Sequence, residues 1–224
     1  MRLIAVIFNL VLLMAVQTAF SQEKGSPDQY NEVLLQRAYK ILAPIGITDS
    51  TKFFRIQNIV VAQYKALGKV HDSANAKIKV LKAANEADKD LTAQKIKTID
   101  SLRMLDLAVL HQAFIKALSA ELAPAQVIQV KNGMTYNVLP ITMKAYEEML
   151  PGLSAVQKEQ ILAYLTEARE FAMDAESSEK KHAWFGKYKG RINNYLSAAG
   201  IDMKKAGQEW DERRKNQQLN KTQQ

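Results

Sequence analysis

The densest chemistry in the chain lies between Lys180 and Arg191. The run reads Lys180-Lys181-His182-Ala183-Trp184-Phe185-Gly186-Lys187-Tyr188-Lys189-Gly190-Arg191. Trp184, Tyr188 and Arg191 stand at i, i+4 and i+7, so a helix here puts them on one stripe. Planar rings of this kind stack on sugar faces or on partner side chains, while Lys187 and Arg191 meet anionic groups such as uronates or phosphates. The same spacing suits a core stripe with a polar edge. Gly186 and Gly190 share a helix face, and each costs roughly 1 kcal/mol relative to Ala there. That cost implies a close approach, either by a neighbouring helix or by a ligand. Basic residues interleaved with aromatics also fit nucleic acid. The export signal described below argues against that partner.

Catalytic motifs are scarce. There are three histidines, His71, His111 and His182, and no cysteine. A thiol nucleophile, a disulfide scaffold and a cysteine zinc site are therefore excluded. The histidines show no metal-motif spacing, and neither a phosphate loop, a nucleophile elbow nor a dinucleotide fingerprint appears. His71 and Asp72 are adjacent, which on a helix points them about 100° apart. His111 falls within an apolar pattern and reads as a satisfied core or boundary residue. Glu147-Glu148 and Glu167/Glu170 read as solvated helix faces, although a glycosidase pair can be distant in sequence. No catalytic residue, metal or cofactor is assigned. A non-enzymatic protein is the favoured reading, with a polysaccharide-active enzyme as an alternative.

The elements that position these residues are helices. Ala, Leu, Lys and Gln abound over 224 residues, against nine Gly and five Pro. Ser26-Pro27-Asp28-Gln29 opens a helix with an N-cap and Pro at its first position. The next opens at Thr48 or Ser50 and carries Phe53, Ile56, Val60, Tyr64 and Leu67 at three-and-four spacing, with a break or kink expected at Gly68. The longest pattern runs from Leu91 to about Glu121. Pro124 restarts a helix that is expected to stop at Asn132-Gly133. Met134 to Leu139 reads as strand-like or irregular, and Pro140 begins another helix. Ser154-Ala155-Val156-Gln157 is a capping box. Ser177 or Ser178 caps the aromatic helix, and Asp202 caps the last. The fold class expected is all-α, an antiparallel bundle of about seven to nine helices, with residues 22–212 as a single domain. Residues 213–224 are polar and basic and are expected to be a disordered tail.

Charge is unevenly placed. The chain has 31 Lys and Arg against 23 Asp and Glu. From Lys180 onward there are eleven basic and four acidic residues, whereas residues 22–179 balance. Both tryptophans, Trp184 and Trp210, fall in this basic segment. Residues 1–21 carry a positive Arg2, an apolar stretch from Leu3 to Val16, and Ala19-Phe20-Ser21 before a cut at Gln22. This is the pattern of a secretory signal peptide, and it predicts a periplasmic or extracellular protein with no membrane span after cleavage.

Two resemblances follow from particular stretches. Leu153-Ser154-Ala155-Val156-Gln157 and Leu122-Ala123-Pro124-Ala125-Gln126 resemble the Leu-Thr-x-x-Gln openings of the Spy/CpxP periplasmic chaperones, which are small and all-helical. Val70 to Lys79, Val130 to Pro140, and above all Ala172 to Trp210 with its His-Ala-Trp-Phe-Gly-Lys-Tyr core, resemble an uncharacterised family of exported bacterial proteins, domain of unknown function 3826. That second resemblance covers nearly the whole chain after the signal peptide. It implies export and a sugar-binding role linked to polysaccharide use, and it carries over no functional residue.

The sequence thus predicts an exported binding protein for carbohydrate or another anionic polymer. Trp184, Lys187, Tyr188 and Arg191 form the predicted site, with Tyr136 and Asn137 as a second wall. The rival is a chaperone-like surface for envelope proteins, which requires an exposed apolar groove rimmed by basic residues.

Overall fold

A computed structural model describes residues 27–84 and 88–222 of the chain. The expected signal peptide lies outside the described residues. Eight α-helices and one short 3₁₀ turn make up the described chain, with no strand among the described residues. The helices are α1 (Pro27–Leu42), α2 (Ser50–Ala84), α3 (Lys89–Glu121), α4 (Pro124–Met134), α5 (Val138–Met149), α6 (Ala155–Met173), α7 (Ser178–Ala198) and α8 (Met203–Thr222). None is long and apolar enough to cross a membrane.

The starts follow the capping chemistry. Asp88 accepts from the Leu91 N–H at 2.9 Å to open α3. Ser154 Oγ accepts from the Gln157 N–H at 3.2 Å while Gln157 Oε1 accepts from the Ser154 N–H at 2.9 Å, a complete reciprocal box. Ala123 has no hydroxyl, so α4 keeps half of that arrangement, the Ala123 N–H donating to Gln126 Oε1 at 3.2 Å. Ser177 and Asp202 cap α7 and α8 through the N–H groups of Lys180 and Lys205.

Two expectations about glycine are corrected. α2 runs unbroken through Gly68, because a lone helical Gly costs only about 1 kcal/mol and apolar residues on both sides keep their packing. α4 does not stop at Asn132-Gly133. It includes Gly133, whose absent side chain lets Ile41 approach. A Cβ there would meet Ile41 Cγ2 at 2.9 Å. The left-handed residues are instead Tyr136 (φ +58°) and Asn137 (φ +55°). They form a tight turn in which the Asn137 N–H donates to Asn132 O at 2.8 Å, so the segment expected to be strand-like or irregular is not a strand but a helix–turn–helix join.

Two apolar clusters hold the molecule. One gathers Leu34, Ala38 and Leu42 of α1, Ile56 and Val60 of α2, Phe114 and Leu118 of α3, and Val130 and Met134 of α4. The other gathers Tyr146 of α5, Ile161, Leu165 and Ala172 of α6, and Phe185, Tyr188, Ile192 and Leu196 of α7. Met173, at the end of α6, is buried in the first cluster and so couples the two. Each fully buried Leu, Ile or Phe contributes about 1.5–3 kcal/mol, so the periodic apolar positions, not the caps, dominate the fold.

Two segments leave these cores. Beyond Ala74 in α2 and before Leu107 in α3, none of the described residues is fully buried. The paired helices project there as an arm, roughly 15 Å long at 1.5 Å per residue. Leu102, Leu105 and Val109 of α3 are exposed. α8 continues as helix to Thr222, through the stretch expected to be a disordered tail. Its Glu, Lys, Arg and Gln residues are good helix formers that need no core, and Arg213 anchors it by donating to the carbonyls of Glu148 and Met149, each at 3.0 Å.

Candidate functional site

The arm and the ends of α6 and α7 enclose a cleft of about 1060 Å³. The arm supplies Asn75, Ile78, Arg103 and Met104 as one wall. Lys180, Trp184 and Lys187 of α7 form the other, with Phe171 of α6 beside them. Asn75 Nδ2 donates to Glu176 Oε1 at 2.7 Å and ties the walls together at one end.

The floor is ionic. His111 of α3 donates through Nδ1 to Asp174 Oδ2 at 2.7 Å, and its Nε2 lies 3.2 Å from Glu170 Oε2. Carboxylates accept and do not donate, so both ring nitrogens carry protons and the ring is an imidazolium. Hydrogen bonds to Asp174 and then to Glu170 raise the His111 pKa to about 9 against the opposing effect of burial. Glu170 also accepts from Lys131 at 2.7 Å and from Arg169 Nη2 at 2.9 Å. Burial alone would oppose its ionisation, but hydrogen bonds from His111 and Lys131 outweigh that and hold it at about 2. His111, Lys131, Glu170 and Asp174 line the cleft, so its floor is a balanced ionic cluster, with Arg169 buried against Glu170 outside the lining.

A second histidine reaches the same residue. His71 Nε2 lies 2.8 Å from the Asp174 carbonyl oxygen. That oxygen only accepts, so Nε2 donates. His71 Nδ1 and Asp174 Oδ1 are both buried without a hydrogen-bond partner. Leaving such groups unpaired costs about 1–3 kcal/mol each. Among the described residues, no group of three or more His, Asp or Glu is arranged to hold a metal ion.

Trp184 is the aromatic element of the cleft. Its ring stacks on Phe171 with centroids 4.6 Å apart and planes 15° apart. The Lys187 ammonium lies 4.9 Å from the Trp184 centroid. Phe171 fills one face at that distance, so Lys187 covers the other. Lys187 is exposed and can swing away, and Lys180 is exposed beside it. Neither makes an ion pair among the described residues.

The six predicted site residues do not come together. Trp184 and Lys187 line the cleft. Tyr188 is 1 % exposed and belongs to the core, where it packs under Trp184. Arg191 lies over the Tyr188 ring at 4.6 Å and 3.8 Å from Glu167, away from the cleft. Tyr136 and Asn137 line a separate pocket bounded by α1 and α4. The stripe is thus a core stripe with a polar edge below Trp184. No neighbouring helix packs closely on Gly186 or Gly190, since nothing lies within 4 Å of a Cβ built on either.

The ionic floor is absent from the predicted set. Glu170 is half-buried rather than a solvated carboxylate. One signal in the sequence marks it: Arg169, Glu170 and Asp174 interrupt a run of Ala168, Ala172 and Met173, all of which are fully buried. Charges spaced among small core residues on one helix imply partners from another element. His111, the boundary histidine of α3, is that partner.

A family model described as "Protein of unknown function (DUF3826)" matches residues 31–216, which include both walls and the whole floor of the cleft. No curated protein matches the chain. On that match, the chain belongs to the DUF3826 family of proteins of unknown function.

Proposed function

We propose that the cleft between the arm and α7 binds an acidic carbohydrate in an exported, non-enzymatic protein. The observation that carries this reading is Trp184: a partly exposed ring in the wall of a large cleft, backed by Phe171, with the exposed Lys187 over it, Lys180 beside it and an ionic floor below. Indole on a sugar face supplies stacking, and Lys180 and Lys187 supply charge for uronates or sulfates. The His111 imidazolium, held between two carboxylates, is a fixed donor and not a general base, since its proton is retained at neutral pH. Calorimetry with oligoglucuronides and with neutral oligosaccharides of the same length tests the reading. Binding of the acidic series, weakened in Trp184→Ala with the fold intact, is expected. Equal affinity of Trp184→Ala and wild type overturns it.

A second reading rests on the arm. Leu102, Leu105 and Val109 are each more than half exposed on α3, which favours a chaperone-like surface for unfolded envelope proteins. Suppression of aggregation of an unfolded client, lost when these three become Ser, would move this reading ahead of the first.

A further inference from the structure

The second pocket holds about 640 Å³ between α1, α4 and the first turn of α7. Its charged lining residues are Arg37, Lys40 and Lys181, and no Asp or Glu lines it. Lys181 is the unusual one. It is 6 % exposed, and its ammonium donates only to main-chain carbonyls, Met134 O at 3.0 Å and Met173 O at 3.3 Å. These carbonyls end α4 and α6, so the cation meets the negative ends of two helix dipoles and has no carboxylate in direct contact. A buried cation normally has a carboxylate partner.

Arg37 compounds the imbalance. Its guanidinium carbon lies 5.2 Å from the Tyr64 centroid, and Lys181 Nζ lies 5.6 Å from the same centroid. Two cations thus share one ring, and neither Arg37 nor Lys181 makes an ion pair among the described residues. Burial first, and the nearness of Arg37 second, push the Lys181 ammonium down to about 8. The groups facing Lys181 are Arg37 from α1, Tyr64 from α2 and Asp174 from the end of α6. Asp174 is already engaged by His111.

We propose that this pocket is an oxyanion site, taking a carboxylate, sulfate or phosphate between Arg37, Lys40 and Lys181. An anion there supplies the missing counter-charge to Lys181 and bridges it to Arg37, whose fork accepts oxyanions in two-point fashion. Lys40 is exposed at the mouth and adds a third donor. Val33, Ile41 and Ile45 form an apolar side, so the site accommodates an anionic group borne on a larger body as well as a bare ion. Tyr136, stacked on His182 with centroids 5.5 Å apart, stands exposed at the rim as a flat surface for that body. The site is separate from the Trp184 cleft and does not depend on it.

The test is calorimetry and amide NMR on the full chain without its first 21 residues. The probes are sodium sulfate, sodium phosphate and sodium glucuronate, each against sodium chloride at equal ionic strength. Saturable binding that perturbs the amides of Lys181 and Tyr136 is expected. Arg37 and Lys40 are exposed, so Arg37→Gln and Lys40→Gln leave the fold intact. The double variant is expected to weaken binding by at least tenfold, and Trp184→Ala to leave it unchanged. Preference for the inorganic ions identifies a free anion as the ligand, and preference for glucuronate identifies a sugar acid. Absence of saturable binding for all three, or unchanged affinity in the double variant, overturns the proposal. Loss of binding in Trp184→Ala alone overturns it too, since the ion would then sit in the cleft.

Discussion

His111 Nδ1 lies 2.7 Å from Asp174 Oδ2, a contact that joins the middle of α3 to the end of α6. Asp174 is also the residue whose carbonyl His71 of α2 holds. One side chain and one carbonyl therefore fix the arm's two helices against the end of α6, whose Phe171 backs Trp184. The same groups form the ionic floor of the cleft. Stability and the proposed binding surface accordingly depend on the same protonation state.

The clasp should be sensitive to alkali. The folded His111 pKa, about 9, is above the ordinary 6.5, so its contribution is full below about 6.5 and disappears as pH rises through 9. Glu170, held at about 2, contributes fully above about 4.5 and loses that contribution as pH falls toward 2. These are two views of one interaction and do not add. Lys181, lowered to about 8, has the opposite slope: its buried charge is relieved as pH rises from about 8 to 10.5. Comparison of wild type with His111→Gln isolates the first effect. The variant should be about 1–3 kcal/mol less stable at pH 6 and close to wild type at pH 9.5, measured by urea denaturation.

Three glycines should respond to alanine in opposite directions. Gly186→Ala and Gly190→Ala meet open space on the exposed face of α7 and should each stabilise by about 0.5–1 kcal/mol. Gly133→Ala gains the same propensity but drives a Cβ to 2.9 Å from Ile41 Cγ2. Overpacking costs about 1–3 kcal/mol and should dominate. Thermal melts of the three variants check the signs, and Ile41→Ala should make Gly133→Ala less costly.

The capping boxes offer a paired comparison. Ser154→Ala removes the acceptor of the Gln157 N–H and should cost about 1 kcal/mol. Ala123→Ser supplies the acceptor that α4 lacks beside its retained Gln126 contact, and should gain up to about 1 kcal/mol. Chemical denaturation of the two variants reads both.

The fold was largely legible because helix signals are local. Ser154 with Gln157, Ser177 and Asp202 each satisfy N–H groups within a single turn, so their sequence alone marks helix starts. Three-and-four spacing likewise placed Ile56, Val60 and Tyr64 in the core. What failed was non-local. Gly68 does not interrupt α2 because packing on either side outweighs its propensity. The turn at Tyr136-Asn137 is made by two residues with side chains in the left-handed region, where Gly and Asn are usual and Tyr is not. The site was legible in part: Trp184 and Lys187 line the cleft, but a seven-residue stripe cannot reveal that Tyr188 is covered by Phe171 and Arg191. Nor can spacing within one helix show that His71 and His111, from two helices, converge on Asp174 of a third.

Lys187 should separate charge from stacking. Its ammonium covers the face of Trp184 that a sugar needs. Lys187→Ala opens that face while removing a cation. Affinity for oligoglucuronides should fall by several-fold, and weak binding of neutral oligosaccharides should rise. A fall for both would show that Lys187 supports the site sterically.

The most direct measurement is fluorescence of the Trp210→Phe variant, in which Trp184 is the sole tryptophan, titrated with oligoglucuronide at low and high salt. The account predicts a saturable change in Trp184 emission, weaker at high salt because Lys180 and Lys187 are screened. No change in emission, in a protein shown to be folded, would contradict the claim that Trp184 forms the wall of a carbohydrate site.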